Sequence, residues 1–326
     1  MVKLLKSVTN KLVFIPLGVV LELMGALYNR IRLQLFYNRS EIIRLLAAGQ
    51  RELVEDRRPK LLAVITHVFA NALTGVKIDP NDEKNRTKVE RRVENLTRTI
   101  DGLLRSFGHC ELHIVINTVR DMHLTQYLKE EDKKLIRVVE QENCPPLFVL
   151  FRAQDEFAGA LNDYDWFLSI EDDIVINDGC FLDKLMLFNS FSQNGKAILL
   201  PHRYEMLEGR KIYIDRDFNG ENTFVWNRLS LVNIGPVQFA EFENPHAAMY
   251  CLSKDQTGKW MSADRKWYRK ITFVSPLESA DTGCLFECFK IYKPHLSNMH
   301  FLEVEHLDTY YSRNIVSRKE KWQLRK

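Results

Sequence analysis

The stretch Trp166–Asn177 reads WFLSIEDDIVIN, and its reading decides the fold. Trp166 to Ile170 run without interruption into three consecutive carboxylates, Glu171, Asp172 and Asp173, and the apolar Ile174 and Val175 follow at once. A short apolar run of this kind predicts a buried strand. Carboxylates beside such a strand are costly to bury unless something compensates them. A divalent cation does so, and Mg2+ or Mn2+ takes carboxylate oxygens while keeping waters and substrate phosphates as further ligands. Alternation sends Glu171 and Asp173 the same way, so one can hold a cation while the other holds a ribose or sugar hydroxyl. The competing reading is a solvated acidic turn.

Working outward, Leu61–Thr66 (LLAVIT) and Leu112–Asn117 (LHIVIN) have the same buried-strand character. Between them Val89, Val93, Leu96, Ile100, Leu103, Leu104 and Phe107 recur at helical spacing until Gly108. A further apolar run, Leu147–Phe151, follows Pro145-Pro146 and is read as a third strand. Strands alternating with helices predict an α/β fold with parallel strands, and ligands then gather at the strands' carboxyl ends. His67, Asn117, Arg152 and Glu171–Asp173 are expected to crowd that rim. In the second half the sequence predicts helices over Phe181–Phe191 and Pro276–Phe289, short strands near 197–200, 211–215, 229–234 and 246–252, and a strand at Phe301–Glu305.

Composition excludes some classes. The 326 residues are 45% hydrophobic and 27% charged, ordinary for a globular chain. The net charge of +3 is uneven: eight basic and two acidic residues in 1–51 give +6, leaving the remainder at −3. A body of that sign argues against nucleic-acid binding. The basic segment suits anionic lipid headgroups. It also holds the only long apolar run, Leu12–Tyr28, which is shorter than the roughly 20 residues of a spanning helix and carries Pro16 and Glu22. Peripheral membrane contact through residues 1–51 is the expectation, on the cytoplasmic face. A signal anchor over 12–28, placing the body in a Golgi-type lumen, and a plain buried helix are the alternatives. The expected organisation is a basic, apolar helical segment (1–58), a catalytic domain (59–315) and a basic tail that frays (316–326). The six cysteines form no C-x-x-C pair, so reduced buried thiols are expected, with disulfides in an oxidising compartment as the alternative. The sequons at Asn38, Asn85 and Asn95 carry little weight.

Trp166–Ile174 resembles the D-x-D region of GT-A fold glycosyltransferases, in the E-D-D form seen in N-acetylglucosaminyltransferase-type and exostosin-like members. The order of elements over about 60–306 is similar to theirs, although specificity rests on the triplet alone. The resemblance implies a GT-A-like, Rossmann-like mixed sheet with helices on both faces. It implies transfer of a hexosyl or N-acetylhexosaminyl group from a UDP- or GDP-sugar to a saccharide or glycolipid acceptor, with Mn2+ or Mg2+. Asp173 is then the metal ligand, with Glu171 and Asp172 supporting the nucleotide sugar, and a late histidine, His306, joins the metal. Thr66, His67 and Asn117 fall where nucleobase and ribose would sit, and Arg152 where a diphosphate could be paired. Asp281, with Glu278 close behind, stands at a helix start where a base for the acceptor hydroxyl is expected; simple N-terminal charge at a helix is the competing reading. His246 falls on the acceptor side. Two other readings stand beside this one: a nucleotidyltransferase acting on sugar phosphates, and a non-catalytic membrane-associated cation-binding module. The absence of glycine in Thr66–Ala72 counts against the first of them.

Overall fold

The computed structural model describes residues 57–71, 74–192, 195–215, 231–241, 245–263, 275–286 and 288–323. The apolar run 12–28 and most of the N-terminal segment lie outside them. The chain divides into two units, Met1–Leu53 and Val54–Lys326, and all that follows concerns the second.

In chain order the strands are β1 (Lys60–Thr66), β2 (Glu111–Val119), β3 (Ile136–Gln141), β4 (Trp166–Glu171), β5 (Ile174–Val175), β6 (Ala197–Leu199), β7 (His202–Leu207), β8 (Arg210–Tyr213), β9 (Leu231–Ile234), β10 (Val237–Glu241), β11 (Met249–Ser253), β12 (Lys290–Pro294) and β13 (Glu303–His306). The helices used below are α1 (Arg86–Ser106), α2 (Ala153–Gly159), α3 (Phe181–Phe191), α4 (Lys254–Ser262), α5 (Pro276–Asp281) and α6 (Tyr310–Gln323). The architecture is mixed α/β. A five-stranded sheet has the order β11-β4-β1-β2-β3, parallel except for β11 at its edge. Two four-stranded sheets, β6-β12-β10-β9 and β5-β13-β7-β8, follow.

The large sheet forms where the apolar runs predict it. Leu61, Ala63, Val64 and Ile65 are wholly buried, as are Phe167 and Leu168, because strands inside a parallel sheet are covered on both faces. Each large side chain so buried contributes roughly 1.5–3 kcal/mol. Phe157 of α2, Phe167 of β4, Tyr250 of β11 and Trp260 of α4 meet edge to face and fix the β4–β11 side of the sheet. On α1 the predicted apolar stripe is buried at Val89, Leu96, Ile100 and Leu103.

Several expectations are corrected. Leu147–Phe151 is not a strand but part of a 3-10 helix, Pro146–Arg152, with proline opening its first turn; Leu150 and Phe151 pack against Ala280 of α5. The strand is instead Ile136–Gln141, whose IRVVEQ lies half-exposed at the sheet edge. The helix expected over Pro276–Phe289 ends at Asp281 and gives way to a 3-10 turn at Gly283–Leu285. The tail from Val316 does not fray at that point, since α6 runs to Gln323. The expectation of reduced thiols holds, since none of the six cysteines, Cys284 and Cys288 included, is in a disulfide. Asn95, the third sequon asparagine, is buried in α1. Among the described residues no helix is long and apolar enough to cross a membrane.

Candidate functional site

The end of β4 is the centre of the site, and backbone pairing delivers the other parts to it. In the sheet register Thr66 lies beside Glu171, and Glu171 N–H donates to the Ala248 carbonyl at 3.1 Å. Ala248 has a φ of +53°, a left-handed conformation that costs a non-glycine residue about 1–2 kcal/mol. His306 pairs with Ile174, and Leu307 N–H donates to the Asp173 carbonyl at 2.8 Å. Asp173 and His306, 133 positions apart, are thereby brought side by side.

The three carboxylates take different environments, as alternation requires. Asp172 turns inward. It accepts from Arg92 Nη2 at 2.8 and 2.6 Å through its two oxygens, and from His67 Nδ1. Burial alone would raise its pKa, but Arg92 and His67 together hold it below the ordinary aspartate value. His67, wholly buried, accepts Leu124 N–H at its Nε2 at 3.0 Å, so it ties β1 to the loop before the next helical turn.

Glu171 and Asp173 face the other way and are half-buried. The Glu171 carboxyl lies against that of Asp281 of α5, close enough for each to act on the other's ionisation. Burial and the Asp281 charge raise Glu171 well above the usual range. Burial pushes Asp281 up to about 7. Asp173 is raised by burial and by Asp172. Its Oδ2 lies 4.0 Å from His306 Nε2 and 3.6 Å from Arg92 Nη1, while its buried Oδ1 has no hydrogen-bond partner. The Oδ2 of Asp281 is likewise buried without one.

His306 is oriented from behind. Its Nδ1 bonds Glu205 Oε1 at 2.9 Å, and the other Glu205 oxygen accepts Ser312 N–H at 2.7 Å. Burial would raise Glu205, yet these bonds hold it below the ordinary glutamate value. With Nδ1 engaged by a carboxylate, Nε2 is the ring nitrogen turned toward Asp173. This is the carboxylate–histidine arrangement that orients a metal-binding imidazole.

A buried cationic group completes the floor. Arg203 Nε donates to Asp215 Oδ1 at 2.8 Å, and Lys293 Nζ donates to Asp215 Oδ2 and to the His246 carbonyl, at 2.7 and 2.8 Å. Arg203 and Lys293 keep Asp215 ionised despite its burial. Burial lowers Lys293 to about 8. The Arg203 charge is felt by Glu171, Asp173, Asp281 and His246 alike, so it sits among them.

The structure thus brings Glu171, Asp173, Asp281, His306 and His246 together, with Thr66 alongside. Burial, then Arg203, keeps His246 well below the usual histidine range, and its Nδ1 lies 3.3 Å from Thr282 Oγ1. Asn117 is wholly buried between Gln141 Nε2 and the Val149 carbonyl. Arg152, at the end of the 3-10 helix, pairs with Asp155 at 3.1 Å. Glu278 accepts from Ser275 Oγ at the start of α5, part of that helix's capping. Arg92, Arg203, Glu205 and Asp215 were not anticipated from the sequence. Their signal was a charge on an otherwise apolar helix stripe for Arg92, and alternating polar residues in HRYEML for Arg203 and Glu205.

A divalent cation fits this arrangement in part. Asp173 and His306 converge with donor atoms that can be shared, and the unpartnered Asp173 Oδ1 is the kind of atom a cation satisfies. Among the described residues, however, no three His, Cys, Asp or Glu side chains form a ready ligand shell. That suits Mg2+, which is held by one or two carboxylates and completes its shell with water and substrate phosphates.

No protein-family model and no curated protein sequence matches the chain. Solved structures do resemble it at low identity. One is a cytidylyltransferase from Leptospira borgpetersenii, at 13% identity over 72% of this chain and 74% of that one, with a TM-score of 0.31. Another is CMP:2-keto-3-deoxy-manno-octonic acid synthetase complexed with CTP, at 8% identity over 82% and 99%, with a TM-score of 0.35. A third is 4-diphosphocytidyl-2C-methyl-D-erythritol synthase from Anaerococcus prevotii, at 13% identity over 81% and 99%, with a TM-score of 0.31. The expectation of glycosyl transfer is not met among them: these structures carry the names of nucleotidyltransferases, the alternative reading of the sequence. At such scores the likeness says nothing about chemistry, which is argued from the side chains below.

Proposed function

We propose that the protein is a divalent-cation-dependent nucleotidyltransferase acting on a sugar phosphate. The observation that carries this reading is the meeting, at the carboxyl end of β4, of Asp173 and a Glu205-oriented His306 with the Arg203 guanidinium. Asp173 and His306 would hold the cation, which when bound supplies Lewis-acid neutralisation of phosphate charge.

In this reaction an oxygen of the sugar phosphate forms a bond to the α-phosphorus of a nucleoside triphosphate. The bond from that phosphorus to its bridging oxygen breaks, and pyrophosphate leaves. The nucleophile is already an anion at neutral pH, so the site's task is to hold two polyanions together rather than to create a nucleophile. Backbone cradling is not available from the first strand's turn, because Thr66–Ala72 contains no glycine. Guanidinium groups must serve instead, and Arg203, anchored by Asp215 through Nε, has its terminal nitrogens left for phosphate. Arg92 stands across Asp173.

The reading is tested by incubating the full chain and Mg2+ with each common nucleoside triphosphate and a panel of sugar 1-phosphates, and measuring pyrophosphate. Release requiring both substrates, and lost in Asp173→Asn, is expected. Absence of pyrophosphate with every pair would overturn it.

A further inference from the structure

A cavity of about 310 Å3 opens beside His306, between α1 and the chain following β13. Its size is within the range of small-molecule sites, about 300–1,000 Å3. Its wall carries Arg91, Arg98, Glu305, His306, Asp308 and Thr309. Arg91 Nη2 pairs with Asp308 Oδ2 at 3.1 Å, and Arg98 Nη2 with Glu305 Oε1 at 2.9 Å. Asn177 Nδ2 steadies the second Glu305 oxygen at 3.4 Å. Asp308 also accepts Thr309 N–H at 2.6 Å through its other oxygen.

The wall therefore presents two guanidinium groups and two carboxylates, with no net charge. A free dianion placed there would meet Glu305 and Asp308, and a cation would meet both arginines. A guanidinium has five donors and a carboxylate about four acceptor positions, so each pair retains capacity beyond the bond it already makes. Fixed donors alternating with fixed acceptors suit a neutral ligand whose hydroxyls donate and accept in turn. The wall adjoins the centre: Glu305 and His306 are neighbours on β13, and the next residue is bonded to the Asp173 carbonyl.

We propose that this cavity binds the neutral polyhydroxyl ring of the second substrate, with its phosphate directed past His306 toward Asp173 and Arg203. The proposal rests on the nucleotidyl-transfer reading for its orientation, but the ring site stands on the cavity alone. Arg91 and Arg98 recognise hydroxyls rather than phosphate, and they set which sugars are accepted.

The test is a titration of the isotopically labelled full chain with methyl glucoside, methyl mannoside and methyl galactoside, followed by the arginine Nε–H and histidine ring resonances. At least one glycoside is expected to shift the Arg91, Arg98 and His306 signals with millimolar affinity. Arg98→Gln and Arg91→Gln, both at exposed positions, are each expected to weaken that binding about tenfold, the loss of one charge-assisted hydrogen bond. Arg120→Gln, a distant surface change, is expected to leave it unaltered. Shifts produced by inorganic phosphate and by no glycoside would overturn the proposal, as would glycoside binding indifferent to both arginine substitutions. A parallel titration with Mg2+ and a nucleoside triphosphate separates the two readings. Glycoside binding without nucleotide binding refutes nucleotidyl transfer and supports the ring site; the reverse result refutes the ring site alone.

Discussion

Asp281→Asn should change the pH dependence of stability in a direction fixed by linkage. Asp281 is 1% exposed and lies beside the Glu171 carboxyl, each acting on the other's ionisation. Its pKa rises from 3.8 to about 7 on folding, with burial as the main cause. Between these values the folded protein keeps a proton that the unfolded chain has released. Stability therefore falls as pH rises through the window and is lowest above about 7. At 1.36 kcal/mol per pKa unit the deficit at pH 8 is up to about 4 kcal/mol, an upper bound because Glu171 titrates with it. Asparagine keeps the shape beside Glu171 and cannot ionise. The variant should match the wild type near pH 4 and exceed it by up to about 4 kcal/mol at pH 8. Urea unfolding of both proteins at the two pH values measures this. An equal difference between the proteins at both pH values would refute the raised Asp281 carboxyl.

Three more outcomes follow from the same geometry. Asp215→Asn leaves Arg203 and Lys293 buried without their shared carboxylate and should cost about 3–5 kcal/mol, read as a fall in the urea midpoint; a cost under about 1 kcal/mol would contradict the buried triad. Gly102→Ala would put a Cβ 2.8 Å from Val175 Cγ1 and 3.0 Å from the Ile176 carbonyl, so α1 must shift from β5; a loss of about 1–3 kcal/mol in Tm or urea measurements is expected, and an unchanged protein would show that the contact is looser than described. Glu205→Gln removes the charge that orients His306 and should weaken Mg2+ binding about 10–100-fold in calorimetry, whereas unchanged affinity would take His306 out of the metal shell.

The sequence made the large sheet legible because β1, β2 and β4 lie inside it and are apolar throughout. It misplaced the third strand for a physical reason: LFVLF after two prolines is equally an apolar helical turn, while IRVVEQ at the sheet edge buries too little to look like a strand. The acidic triplet and the meeting of Asp173, His306 and Asp281 were legible in part, the first from local chemistry and the rest by resemblance. The three partners that organise the site were not. Arg203, Glu205 and Asp215 are polar residues made tolerable in the interior by one another, by Lys293 and by His306. Those compensations span 12 to 101 positions, and no local pattern announces them. His67 illustrates the converse, since a strand-end histidine suggested ligand contact and the structure gives it wholly to Asp172 and Leu124 N–H.

The central claim is that Asp173 and its neighbours form a cation-dependent nucleotide site. It is tested most directly by calorimetric titration of nucleoside triphosphates into the wild type and Asp173→Asn, with and without Mg2+. The account predicts binding of at least one nucleotide in the presence of Mg2+, weakened at least about tenfold by Asp173→Asn or by chelating the metal. No nucleotide binding under any condition, or binding indifferent to Asp173, would contradict it.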